Sequence, residues 1–263
     1  MVSSVREYIN SINGFKTVLV INRDRNYGVD KNIIEGIRYL TNNYQSFIIV
    51  EDDLIVSEHF LYFLNSALKF YNDNNKIITI SAFNYVSIPK NYKFDCFFTG
   101  RTNPWGWASW SNRFKNIDWD ISDHESFINN KSIQRKFNFW GSDRSRMLKK
   151  TLSGKIRAWD IRLEYHVFKN NLLTAYSTKN LVFNNGFNCN EATNTTGYNR
   201  FKVKIQLLDS TNIKFPDFIT DNLVIRRRFI EKNSILNRIK TTIYKNLKII
   251  ICGRSFSYYS VYI

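Results

Sequence analysis

Phe47-Ile48-Ile49-Val50-Glu51-Asp52-Asp53-Leu54 is the stretch on which the reading of this chain turns. Four apolar residues run directly into three carboxylates. A short continuous apolar run is the pattern of a strand buried on both faces, as in a mostly parallel sheet. The end of such a strand borders the crevice where open α/β sheets bind their ligands. Three like charges repel one another there, and a divalent cation would relieve the repulsion while also binding diphosphate oxygens. The competing reading of the motif alone is an ordinary acidic loop at a strand end.

Outward from this stretch, strands and helices alternate. Residues 17–21 (Thr-Val-Leu-Val-Ile) read as a buried strand after a short helix over 5–12, and 23–28 as a polar turn. Ile33, Ile34, Ile37 and Leu40 recur at helical spacing, predicting a helix over 31–43. A second helix is expected over 57–73, capped by Ser57, with Phe60, Leu61, Leu64, Leu68 and Tyr71 on its buried face. Strands are expected over 77–83 and 94–98, a Trp-rich segment over 103–110, polar helices to about 150, a helix over 159–170, an extended run over 172–183 and a polar loop over 184–199. The alternation predicts an α/β fold with a mostly parallel sheet flanked by helices.

The chain has 263 residues, 43% hydrophobic and 16% aromatic, which supports a large core and argues against global disorder. Cys96, Cys189 and Cys252 lie far apart, without a CxxC or Cys/His cluster, so a structural zinc site or disulfide framework is not expected. The opening residues lack the apolar stretch of a secretory signal, and no apolar run approaches the roughly 20 residues of a membrane span. These features predict a cytoplasmic protein. The formal charge of +16 is concentrated towards the end, in Arg226, Arg227, Arg228, Lys232, Arg238, Lys240, Lys245, Lys248 and Arg254. Ile, Leu, Tyr and Phe alternate with these cations. This predicts a basic amphipathic tail over 222–263 lying on an anionic membrane surface, against a nucleic-acid contact or a plain solvated helix.

Asn26-Tyr27-Gly28, the following helix and strand, Glu51-Asp52-Asp53 and then Phe60-Leu61 resemble a GT-A glycosyltransferase, of the bacterial family 2-like and N-acetylglucosaminyltransferase I types. Trp105-Gly106-Trp107-Ala108-Ser109-Trp110 is similar to the GWATW-type element of bacterial surface-polysaccharide transferases, and Ala158-Trp159-Asp160-Ile161-Arg162 and Asn185-Gly186-Phe187 follow in the order of that group. The resemblance covers about 5–190 and implies a Rossmann-like nucleotide-sugar domain over 1–221. It further implies Mn²⁺ or Mg²⁺ held by Asp53, with Asp52 towards the ribose or donor sugar and Glu51 towards the sugar or a nearby backbone group.

By the same resemblance Asn26 and Gly28 belong to the donor site. Asp160 is the candidate base of an inverting transfer, against a plain helix-capping role, and Glu164 is the reserve. Asp95 and Asp143 rank below them. Trp105, Gly106 and Trp107 are expected to line the sugar site, with Trp110 packing beneath. His59 and His124 are read as surface residues and His166 as helix packing. The implied reaction moves a sugar from a nucleotide-sugar to a lipid-linked or polysaccharide acceptor, at the inner face of a bacterial membrane. Two departures accompany the resemblance: the family's first strand has no counterpart, and Asn188-Cys189-Asn190-Glu191 stands where relatives place Asp and His. They motivate an alternative, a catalytically impaired relic that binds nucleotide or glycan or acts as a scaffold. A metal-dependent phosphate-ester enzyme ranks lowest, because a two-metal site wants further Asp or His ligands.

Overall fold

The structure is a computed structural model that describes residues 2–188, 201–209, 212–219 and 221–252. It is a mixed α/β fold. After α1 (Val2–Asn10) and α2 (Gly28–Asn43) come β1 (Ser46–Ile49), β2 (Leu54–Val56), α3 (Phe60–Phe70), β3 (Ile77–Ser81), β4 (Cys96–Thr99) and β5 (Trp107–Trp110). A helical stretch follows: α4 (Ser111–Phe114), α5 (His124–Asn129), α6 (Lys131–Phe137), α7 (Arg144–Leu152) and α8 (Trp159–Lys169). The chain continues through β6 (Leu173–Ser177), β7 (Val182–Asn184), α9 (Leu223–Lys232) and α10 (Ile235–Cys252).

The main sheet has five strands in the order β1-β5-β3-β6-β4, and β2 pairs with β7 in a separate ribbon. Only β3 and β6 run parallel; β1/β5, β3/β5 and β4/β6 are antiparallel. The sheet is therefore mixed rather than mostly parallel. Apolar runs report that both faces are buried, but direction is set by the connections. No helix intervenes between β3 and β5; the chain passes through β4 at the far edge of the sheet and returns as β5, antiparallel to β3.

Both faces are covered, as the apolar runs predict. Along β1 and β5, Phe47 and Trp107 point to one side, where they meet Ile37, Phe114, Trp159 and Leu163. Ala108 and Trp110 point to the other, where Phe60, Phe63, Leu64 and Leu68 of α3 pack. The period of two puts adjacent residues into different cores. A third cluster, with Ile121, Phe127, Phe137, Leu148, Ile161 and Tyr165, joins α5, α6, α7 and α8.

Two local expectations need correction. Residues 17–21 form no strand, and Val18, Leu19 and Ile21 are exposed by 43%, 58% and 49%. An apolar run becomes a strand only where a neighbour completes its hydrogen bonds, and among the described residues none pairs with this one. The second correction concerns α3, which starts at Phe60 with His59 at its cap, while the Ser57 hydroxyl has no partner and Leu61 is exposed by 53% instead of lying on the buried face.

The expected boundary at residue 222 does not separate the tail from the core. Asn222 caps α9, accepting from the backbone N–H groups of Val224 and Ile225, both at 3.1 Å. Ile225 and the fully buried Phe229 then join the main cluster, where Phe229 packs against Tyr85, Trp140 and Tyr176. No helix among the described residues is long and apolar enough to cross a membrane. Phe229→Ala is expected to cost about 3–5 kcal/mol, read by urea unfolding; a loss under about 1 kcal/mol would mean α9 is not an integral part of the core.

Candidate functional site

The chain leaves β1 through Val50 and turns at once, the Leu54 N–H closing onto Glu51 O at 3.2 Å. This turn presents the three carboxylates at the end of the strand, with Asp52 exposed and Glu51 and Asp53 half-buried. The ribbon of β2 and β7 fixes what lies over Asp53. Leu54 pairs with Asn184, and the Asn185 N–H donates to Asp53 O at 2.8 Å. The Asn184 side chain hydrogen-bonds the Asp53 carboxylate and also accepts from the Gly186 N–H at 2.9 Å. Any Cβ at Gly186 would collide with Asp53 Oδ2, so a glycine is required by that close approach. Asn184 is a site residue that the sequence reading missed; its signal was its place beside Asn185-Gly186.

Asp160 lies in the first turn of α8, where the helix dipole favours a carboxylate. Trp107 pairs with Ile49 at the end of β1 and stacks on Trp159 at 5.8 Å, which places the start of α8 beside the end of β1, and the charge of Asp160 contributes to the shift of Glu51. Burial, followed by the charges of Asp53, Asp160 and Asp52, pushes Glu51 up to about 8. Burial and then the charge of Glu164 push Asp160 up to about 6, although Arg101 and two backbone N–H groups oppose the shift. Asp53 is also raised, by burial and then by Asp52. The cluster is a concentration of desolvated negative charge, the pattern expected of a functional site.

A cation fits this chemistry at Asp53. Its Oδ1 is buried without a hydrogen-bond partner, and an oxygen so placed suits a hard divalent ion. Among the described residues, no three His, Cys, Asp or Glu side chains form a cage by themselves. Asp53 would therefore supply one ligand, and the remaining ligands would come from diphosphate oxygens and water.

The other expected residues divide sharply. Glu164 is buried between two arginines, Arg144 Nε at 2.6 Å and Arg101 Nε at 3.3 Å. Arg101 also makes a two-pronged pair with Asp143, at 2.9 and 3.2 Å. Glu164 and Asp143 thus hold a buried ion cluster together, with their carboxylates turned to the arginines. Asp95 accepts from the Lys214 N–H at 2.9 Å, in a loop tie of its own. Arg101 carried no sequence signal, yet it is the cation nearest in influence to the candidate base.

The Trp segment is corrected in part. Trp105 is half-buried, packing on Phe83 at 4.6 Å and on Phe187 at 5.9 Å, beside the loop over Asp53. Trp107 is only 1% exposed and stacks on Trp159 and Phe114, so it is core and supports Asp160 through Trp159. Gly106 has a positive φ of 66°, and a Cβ there would meet Phe60 and Val182. Packing requires that glycine, not contact with a sugar. Trp110 packs beneath as expected, its Nε1–H donating to Leu68 O at 3.2 Å.

Asn26 and Gly28 form a turn closed by Gly28 N–H to Asn26 Oδ1 at 2.8 Å, with Gly28 at φ 72°. Gly28 lies directly against Arg157, and Asp30 faces the backbone N–H groups of Ala158 and Trp159 at the start of α8. The turn therefore borders the site by way of α8. His124 is exposed, His59 pairs with Glu58, and His166 bonds within its own helix to Asn170; none reaches the carboxylates. Cys189, Asn190 and Glu191 of the loop lacking histidine lie outside the described residues. No protein-family model matches this chain, and no curated protein does.

Because its pKa is raised in the fold, ionised Asp160 opposes folding. Its contribution is fully favourable below the unfolded value near 4 and is lost as pH rises through about 6. Asp160→Asn is accordingly expected to raise stability at pH 7 by on the order of 1–3 kcal/mol, with the gain vanishing in urea titrations near pH 4. Glu164→Ala is expected to do the opposite, costing about 3–5 kcal/mol by stranding buried Arg144.

Proposed function

We propose that this chain is a metal-dependent glycosyltransferase with a GT-A-type donor domain, acting in bacterial surface-glycan synthesis. The observation that carries the reading is the convergence of Asp160 on the carboxylate cluster. A cation-binding acid at the end of β1 and a second, separately held carboxylate serve two different tasks in sugar transfer. Bound at Asp53, Mn²⁺ or Mg²⁺ would offset the charge that develops on a departing nucleoside diphosphate.

The chain's own residues divide the remaining work. Asp160 accepts the proton of the acceptor hydroxyl while that oxygen forms its bond to the anomeric carbon. The bond from that carbon to the diphosphate breaks, and its electron pair leaves with the nucleoside diphosphate. Attack opposite the leaving group inverts the anomeric centre. The ion cluster around Glu164 orients α8, and Trp107 stacks behind Trp159 to fix the helix start. Trp105, beside Phe187, offers an aromatic surface for a sugar face. Asp52 is exposed and available to donor hydroxyls.

A second reading has one observation in its favour. β1 is an edge strand, and the strand-like run 17–21 lies unpaired, so the sheet beside the carboxylates is incomplete among the described residues. A chain with that gap suits an impaired relic that binds nucleotide or glycan without turnover. Calorimetry with UDP-, GDP- and dTDP-sugars, with and without Mn²⁺, separates the readings. The transferase reading expects Mn²⁺-dependent donor binding that Asp53→Ala abolishes. It also expects transfer that rises with pH through about 6 and is lost, with binding retained, in Asp160→Ala. Binding without transfer to any lipid-linked or glycan acceptor would favour the relic, and no nucleotide binding would sink the transferase reading and leave only a relic that binds glycan or acts as a scaffold.

A further inference from the structure

α10 leaves a row of apolar residues uncovered. Ile235, Leu236, Ile239 and Ile243 are exposed by 59%, 67%, 50% and 53%. At helical spacing they form one stripe along the helix. Arg238 and Lys240 flank it, and no acidic residue occurs anywhere after Glu231. An apolar stripe flanked by cations complements a surface that is apolar inside and negative outside.

A second feature lies next to the root of this helix. A cleft of about 400 Å³ is lined by Ser142, Ser145, Arg146, Lys149, Lys150 and Lys155, together with Asn138 and Ser153. Its lining contains four cations and no carboxylate. Ser142 joins the cleft to the helix: its N–H and its hydroxyl both donate to Asn233 O, each at 3.1 Å, and Asn233 lies between α9 and α10. Asn233 is fully buried and donates to Tyr85 Oη at 3.0 Å. With Phe229 in the core, the junction is a fixed mount and not a loose tether.

We infer that the exposed stripe of α10 and the basic cleft beside α7 form a single docking face for an anionic phospholipid bilayer. The stripe enters the interface, and the cleft receives headgroup phosphates. Each basic side chain near such a surface adds about a further kcal/mol of attraction, so four in one cleft produce strong dependence on lipid charge and salt. This inference rests on α10 and the cleft alone and stands independently of the transferase reading.

Co-flotation of the full chain tests it, using phosphatidylcholine vesicles with and without phosphatidylglycerol, at low and high salt. Binding is expected only to the anionic vesicles and is expected to weaken with salt. Ile239→Glu with Ile243→Glu should abolish it. Lys150→Glu with Lys155→Glu, both exposed in the cleft lining, should weaken it roughly tenfold or more. All four residues are outside the core clusters, so the melting temperature should hold and serves as the control for folding. Equal binding to neutral vesicles, absence of binding, or indifference to both double variants would overturn the inference. Binding of duplex DNA through the same lysines with no vesicle binding would overturn it too, in favour of a nucleic-acid partner.

Discussion

The fold around the site depends on one buried ion cluster. Glu164, 3% exposed, lies between Arg144 and Arg101, and Arg101 reaches on to Asp143. Charges taken out of water this far are costly unless each is matched and hydrogen-bonded. Here the matching is nearly complete, since Arg144 also donates to Phe137 O at 2.9 Å and to Glu164 O at 3.1 Å. The cluster fastens α7 and α8 to the loop after β4. One turn before Glu164 stands Asp160, so the same pairing that secures the helix sets the direction of the candidate base.

That arrangement explains how a cluster of anions persists at the end of β1. Arg101 lowers the cost of ionising Asp160, but burial and Glu164 outweigh it, and Asp160 remains raised to about 6. Glu51, without any cation among the causes of its shift, rises to about 8. The site therefore relieves its charge by taking up protons or a cation, while the stabilising ion pairs lie one helical turn deeper. Separation of a strained surface layer from a satisfied buried layer is how a fold tolerates a destabilised functional site.

Much of this was legible in the sequence, and the parts that were not share a cause. The helices at 28–43 and 159–169, the buried strands β1, β3 and β4 and the two-sided core follow from periodicity, whereas β5 read only as a Trp-rich segment. Strand direction did not, because Ile77–Ser81 looks the same beside a parallel or an antiparallel neighbour. Residues 17–21 have the composition of a strand but lack the partner that would make them one. In the site, Asp53 and Asp160 were visible as motif residues, whereas the fate of Glu164 was set by arginines 20 and 63 positions earlier in the chain. Trp107 likewise looked like a sugar platform until Trp159 and Phe114 enclosed it. Local pattern names the element; long-range packing decides which face is free.

The central claim is that the carboxylates after β1 hold a cation together with a nucleoside diphosphate. Amide NMR of the full chain with substoichiometric Mn²⁺, in the presence of UDP, GDP or dTDP in turn, tests it most directly. Paramagnetic broadening is expected to centre on 51–54, to spread to 185–187 and 159–160, and to be strengthened by one of the nucleotides. Broadening centred elsewhere, or none with any nucleotide, would contradict it.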